Sequence, residues 1–435
     1  MTNVVFIVAD DLGYADLGCY GGRPAAFGAV SPEIDRLAAE GIRFTQGYAN
    51  SPVCSPTRFA LMTGRYQYRL RGAADEPISG KARGNPLLGL PPEHPTLPSL
   101  LKDAGWRTAL IGKWHLGYPP HFSPLRSGYE TFYGPMSGGV DYFTHCGTNG
   151  AHDLFDGDEE THDPGYLTDL ITQRAVAWID RVATDERPFF LSLHYTAPHW
   201  PWETRDDAAV SQDVRDHLFH LHGGNIHTYR RMVHHMDEGI GAVMAALRRH
   251  RIDDDTLVIF TSDNGGERFS DNWPLVGGKM DLTEGGIRVP WVARWPRRIA
   301  AGRVTAQHCL TMDWSATVLD LAKVAPAPSH PLDGVSLLAL LEGGAEFERT
   351  MHWRMKHRGQ RALREGRWKY LMVDGHEYLF DLDADERERA NLATREPARL
   401  AALRDAWQCW HATMPLIPDD ATVSLGYSVR DMPQR

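Results

Sequence analysis

The sequence predicts an α/β protein built on a buried parallel sheet, followed by a smaller α+β lobe. Three observations carry that reading. Short apolar runs of strand length alternate with helical stretches, the pattern of βαβ units. Four of those runs end in polar or charged residues, as strands do when their carboxyl ends frame a ligand site. Beyond residue 342 the texture changes to short strands around a tight-turn signal.

The elements follow in order. Residues 4–9 are an apolar run ended by Asp10-Asp11. Residues 32–40 read as a helix with Ser31 as N-cap, Pro32 at its first position and Gly41 as its stop. Pro56 places Cys54 at or just before another helix N-terminus. A helix over 96–104, capped by Thr96, leads to a strand over 109–112 that runs into Lys113-Trp114-His115. The strand over 188–193 runs on toward His194 and His199. A long amphipathic helix spans 229–249, and the strand over 256–262 ends in Asp263-Asn264. The Ala/Pro-rich stretch 324–331 reads as a connection, and 335–341 as a short helix. Asp374-Gly375 joins strands over 367–373 and 377–382 into a hairpin, and 395–414 closes the chain as a helix. The expected division is a catalytic domain, 1–342, and a C-terminal subdomain, 343–435.

Composition narrows the function. A chain of 435 residues with 42% hydrophobic and 23% charged residues buries a full core, which excludes a disordered or fibrous protein. The net charge of −10 argues against a broad basic face for nucleic acid. No apolar stretch approaches the ~20 residues that span a bilayer, so no membrane association is expected. Cys19, Cys54, Cys146, Cys309 and Cys409 are scattered and form no CxxC pair, which favours a reducing compartment. The first apolar run begins right after Met1-Thr2-Asn3, with no basic n-region, so a cytoplasmic location is expected.

Asp10, Asp11, Asp263 and Asn264 offer three carboxylates and an amide at two strand ends, a hard-oxygen set suited to Ca²⁺, Mg²⁺ or Mn²⁺. The same residues would also serve as turn and helix caps. At a helix N-terminus Cys54 meets a dipole that favours an anionic nucleophile, and Arg58 returns to the same face four residues on. A buried structural cysteine beside an exposed arginine is the plainer alternative. Strand periodicity turns Lys113 and His115 one way and Trp114 the other. His199 lies in a proline-stiffened loop and Lys279 follows Gly277-Gly278. Together these cations and histidines would suit a tetrahedral oxyanion ester.

At this point a family resemblance emerges. Cys54-Ser55-Pro56-Thr57-Arg58 resembles the C-x-P-x-R signature of type I sulfatases, members of the alkaline phosphatase superfamily, whose cysteine becomes formylglycine. The segments 3–11, 32–44, 112–117, 261–266, 278–290, 333–338 and 378–392 are also family-like, in the expected order over nearly the whole chain. The resemblance implies an alkaline-phosphatase-like fold: a mixed, mainly parallel sheet sandwiched by helices, plus a C-terminal antiparallel sheet and helix. It implies Asp10, Asp11, Asp263 and Asn264 as ligands of a divalent cation, usually Ca²⁺, with residue 54 as a further ligand. Cys54 would carry formylglycine, hydrated to a gem-diol that attacks sulfur and later expels sulfate. Arg58 would orient the diol, Lys113 and Lys279 would bind sulfate oxygens, His115 would accept the diol proton, and His199 would protonate the leaving oxygen.

The expected substrate is a small sulfated sugar or aryl sulfate, and the expected partner a formylglycine-generating maturase, with self-association left open. Residues 138–145 resemble the stretch bordering the pocket in arylsulfatase-A-like enzymes, which nominates Asp141 and His145; Trp200 and Trp273 adjoin motif loops and could stack on a ring. His217, His220, His222 and His227 lack a ligand motif and read as loop and helix-start residues. Two alternatives stand beside the sulfatase reading. One is a phosphonate monoester or phosphodiester hydrolase of the same superfamily; the other is a silent binding protein with Cys54 unmodified.

Overall fold

The computed structural model describes residues 2–22, 28–147, 149–214 and 223–425. At its centre is a ten-stranded sheet. Thr256–Ser262, Asn3–Ala9, Phe189–His194, Arg107–Gly112 and Thr131–Gly134 lie side by side in that order, all parallel. Trp291–Arg294 runs antiparallel between Thr256–Ser262 and Ile42–Phe44, and Phe155–Asp156 runs antiparallel at the other flank. The sheet is therefore mixed and mainly parallel.

Register sets the site. Val8 and Gly112 both pair with His194, and Ala9 pairs with Ser262. Four carboxyl ends are thus level, and the residues that follow them emerge along one edge. Both faces of the sheet are buried. In Asn3–Ala9, Val5 and Ile7 enter one core while Val4, Phe6 and Val8 enter the other. That two-sided burial is why the strand reads as a continuous apolar run rather than an alternation. Each such side chain contributes about 1.5–3 kcal/mol by leaving water.

Helices Pro32–Ala39, Leu167–Val182 and Ile226–Arg249 cover one face; Cys54–Thr63, Leu97–Asp103 and Met312–Ala322 contribute to the other. Thr96 forms the expected cap, as a reciprocal capping box with Ser99. Ser31 does not. Its hydroxyl turns to Gly18 N, and the Glu33 and Ile34 amides donate to Asp237 of the long helix at 3.0 and 2.8 Å. The helix expected over 335–341 shrinks to Leu338–Leu341, because Val335 N and Leu337 N donate to Asp313 and Thr317 of the preceding helix.

The C-terminal part holds an antiparallel sheet of Thr350–Arg354, Arg361–Glu365, Trp368–Val373 and His376–Asp381. Asp374 (φ 51°) and Gly375 (φ 79°) take the left-handed turn the hairpin requires. Helix Pro397–His411 packs Leu403 and Trp407 on this sheet. Lys369, buried in the sheet, pairs with Glu284 and Glu388 at 3.0 and 2.8 Å and so joins the two parts.

Candidate active site

The level strand ends deliver the site's charges. Asp10 and Asp11 follow Asn3–Ala9, and Asp263 and Asn264 follow Thr256–Ser262. Lys113 follows Arg107–Gly112 and donates its Nζ to Asp10 Oδ2 at 2.5 Å. Lys279, from the 277–283 loop, donates to Asp11 Oδ2 at 2.7 Å. Arg58 Nε and Nη2 reach Asp263 Oδ2 at 3.0 and 2.9 Å. Three carboxylates face three cations, and all six side chains are buried. That near balance is what lets ionised groups leave water at all.

Cys54 is the first residue of a helix that is buried from end to end. A ligand atom from each of Asp10, Asp11, Cys54 and His199 lies within 4.8 Å of the others, a group able to hold a metal ion. Two acceptors beside it have no partner among the described residues, Asp10 Oδ1 and Asn264 Oδ1. Buried carboxylate and amide oxygens left with free lone pairs fit a hard divalent cation. Burial, then Asp263, push the Asp10 carboxyl up to about 8 despite Lys113 and Arg58, and a cation would relieve that crowding. Burial opposes charge on Asp11 too, but Lys279, His199 and Lys113 outweigh it and hold its pKa well below the carboxylate range.

Hydrogen bonds assign the histidine nitrogens. His115 Nε2 lies 2.7 Å from Ile78 O, so it carries the hydrogen and Nδ1, without a partner among the described residues, keeps its lone pair. His199 Nδ1 lies 2.7 Å from Trp200 O, which leaves Nε2 facing Asp11 Oδ2 at 3.6 Å. Burial lowers the pKa of both rings well below the usual histidine value. Glycines let them sit there: a Cβ at Gly138 would meet His115 Cε1 at 2.3 Å, and one at Gly139 would meet His199 Cε1 at 2.9 Å. Asp11 (φ 63°), His115 (φ 58°) and Met280 (φ 75°) are held left-handed around the site. Non-glycine residues so placed store about 1–3 kcal/mol each, a strain that clusters at functional sites. The expectation for Lys113 and His115 rested on strand periodicity, but the strand ends at Gly112, and it is the left-handed turn that brings His115 in.

The family model described as "Sulfatase" matches residues 2–324. The chain belongs to the sulfatase family. A second model, "N-sulphoglucosamine sulphohydrolase, C-terminal", matches residues 278–403 of this sulfatase. N-acetylgalactosamine-6-sulfatase of Canis lupus familiaris is 34% identical over 376 residues, covering 81% of this chain and 68% of its own. Steryl-sulfatase of Homo sapiens is 30% identical over 545 residues, covering 96% and 89%. The solved structure of Ps i-CgsB in complex with k-i-k-neocarrahexaose superposes with a TM-score of 0.82 at 30% identity, covering 94% of this chain and 92% of that one. The protein is a sulfuric ester hydrolase.

Of the residues expected around the substrate, the sulfatase pocket takes in only Trp200. This cavity of about 90 Å³ is also lined by Cys54, His115 and His199. Asp141 does not line it; its Oδ1 accepts from Phe143 N, Thr144 N and Ser211 Oγ. His145 is buried with Nε2 near Gly165 O at 3.2 Å. Trp273 lies outside the pocket, 58% exposed beneath the Arg387 guanidinium. These three placements depart from the sequence expectation, which rested on the resemblance of 138–145 for Asp141 and His145 and on adjacency to a motif loop for Trp273; of that stretch, Gly138 and Gly139 line the pocket. His227 is exposed at a helix start; His217, His220 and His222 lie outside the described residues. Sequence reasoning noted His194 at a strand end but gave it no role, though its Nδ1 lies 3.3 Å from Arg58 Nη1, and it missed Gln360, which brackets the Lys279 loop. Neither sits in a motif.

Proposed function

We propose that this sulfatase hydrolyses a sulfate monoester carried by a carbohydrate, with residue 54, as formylglycine, for its nucleophile. The observation that carries the reading is the buried convergence of Asp10, Asp11, Cys54 and His199 beside two unpartnered oxygens. Asp10, Asp11, Asp263, Asn264 and residue 54 would hold a hard divalent cation, Ca²⁺ on the family resemblance, which would supply Lewis acidity to the oxygens around sulfur. Formylglycine supplies a hydrated aldehyde as attacking oxygen. The unmodified thiol is a poor substitute, since burial pushes it up to about 12.

The chain's own groups then divide the work. Arg58, fixed on Asp263, orients the oxygens of residue 54. Lys113 and Lys279, both buried, bring their charges to the non-bridging sulfate oxygens. The His115 Nδ1 lone pair accepts a proton, because Nε2–H is committed to Ile78 O. With its Nδ1–H committed to Trp200 O, His199 serves as a proton donor through Nε2, and only as imidazolium; Asp11 favours that form and burial opposes it. The carbohydrate reading is supported by the galactosamine-sulfatase relatives and by a pocket wall of glycines and serines, small polar surfaces suited to hydroxyls. The same proposal divides the chain into a catalytic part, 1–342, and a C-terminal part, 343–435.

The test is sulfate release from N-acetylgalactosamine 6-sulfate, other sulfated sugars and 4-nitrophenyl sulfate, with a phosphonate monoester in parallel. Sulfate esters should turn over, and Cys54→Ala should lose more than about 10³-fold of that rate. Faster turnover of the phosphonate ester would move the assignment to the other branch of the superfamily.

A further inference from the structure

The pocket also presents a charged side chain, Arg83, that has no part in the chemistry above. Part of the pocket wall is made by the segment after Glu76, and that segment is registered on the nucleophile. Ile78 N donates to Ser55 Oγ at 2.9 Å, next to Cys54, and Ile78 O faces His115 Nε2 at 2.7 Å. A short turn, Gly80–Ala82, then presents Arg83 to the same cavity as Cys54, His115 and His199.

The Arg83 guanidinium is held but not consumed. It lies over the Tyr118 ring, 4.6 Å from the centroid, which fixes its plane. Its link to Asp153 Oδ2 is 3.5 Å, long beside the 2.7–2.9 Å of a committed charged pair. Asp153 is already served by Met136 N at 3.1 Å and Ser137 N at 2.9 Å. Arg83 Nε and the Tyr118 hydroxyl are both buried and have no partner among the described residues. Both residues line the pocket. A planar cation with spare donors, beside an orphaned hydroxyl, suits an oxyanion.

We infer that Arg83, with the Tyr118 hydroxyl, forms a subsite for a second anionic group on the substrate, a carboxylate or a second sulfate beyond the one being cleaved. The inference rests on the sulfate-ester reading and narrows it: the preferred substrate is polyanionic, as an acidic or multiply sulfated saccharide is. A charge-assisted pair of hydrogen bonds in a half-buried site is worth about 10- to 100-fold in kcat/KM.

The experiment measures kcat/KM for 4-nitrophenyl sulfate, for the ortho, meta and para carboxyphenyl sulfates, and for the three benzenediol disulfates, with correction for leaving-group acidity. At least one dianionic isomer should exceed the mononegative reference about tenfold or more in the unaltered protein. Carboxylate against sulfate in that isomer identifies the second group. Arg83→Gln should bring the ratio to near one, Arg83→Lys should keep part of it, and rising salt should erode it. Variant-to-parent ratios cancel intrinsic reactivity, and the isomer series on the unaltered protein stands even where a variant does not fold. Ratios near one in the unaltered protein, or a preference that survives Arg83→Gln, overturn the subsite while leaving the sulfatase reading intact. No hydrolysis of any probe removes that reading and the subsite with it.

Discussion

Lys279 illustrates how closely chemistry and stability are tied at single residues. Its Nζ is the 2.7 Å donor of the buried Asp11 carboxylate, so Lys279→Ala removes a sulfate-binding charge and strands an anion together. An uncompensated buried charge costs about 3–5 kcal/mol. The variant should therefore melt several degrees lower in chelator, recover part of that loss in excess Ca²⁺, and stay at least about 10²-fold slower in both; melting curves beside rate assays read this out. Full recovery of rate with Ca²⁺ would make Lys279 purely structural. Most of this site was legible in the sequence because strand-end residues announce themselves: an apolar run followed by Asp10-Asp11 or Asp263-Asn264 needs no tertiary information. The pairings were not legible, since Arg58 meets Asp263 across 205 positions. Nor was the local fate of Asp141, which the resemblance of 138–145 placed in a pocket it does not line.

Two elements outside the strand edge govern the site. Gln360, in the C-terminal part, donates through Nε2 to Met280 O at 2.8 Å and accepts Leu282 N through Oε1 at 2.8 Å. It thus brackets the residues after Lys279, where Met280 is held left-handed. Gln360→Ala should lower kcat/KM about tenfold with a melting point shifted far less than in Lys369→Met, which removes the buried cation that Glu284 and Glu388 share. Equal losses of stability in the two would assign Gln360 to packing. A second element effect is pH-dependent. Burial pushes the Asp237 carboxyl, which receives the first amides of Pro32–Ala39, up from 3.8 to about 6. The folded state then binds the proton more tightly than the unfolded one. The resulting stability is present in full below pH about 4 and lost as pH rises to about 6, on the order of 3 kcal/mol at most. Unfolding free energies of the parent minus Asp237→Asn should carry that slope between pH 4 and 6; a flat difference would contradict it. Residues 256–262 stood out as a strand through continuous apolar character, whereas Leu167–Val182 and the antiparallel Trp291–Arg294 were not read from sequence. The hand of a strand pair is set by its neighbours, which periodicity does not report.

At the scale of the whole molecule, parallel strands with level ends turn residues far apart in the chain into one buried cluster, and the C-terminal sheet locks the last loop of that cluster in place. A ligand that binds only the folded cluster stabilises the whole fold: about 2.7 kcal/mol at a hundredfold excess over Kd. Ca²⁺ should therefore raise the melting point of chelator-treated protein, and Asp10→Ala should abolish the rise. The α/β class and the two-part organisation were readable from alternation and a change of texture, while the mixed sheet rested on the family resemblance. The central claim concerns residue 54, and the tryptic peptide spanning 44–58, taken from protein that releases sulfate, tests it most directly by mass spectrometry. The expected mass is lowered by replacement of the cysteine CH₂SH with CHO. An intact cysteine in protein that turns over sulfate esters would contradict it.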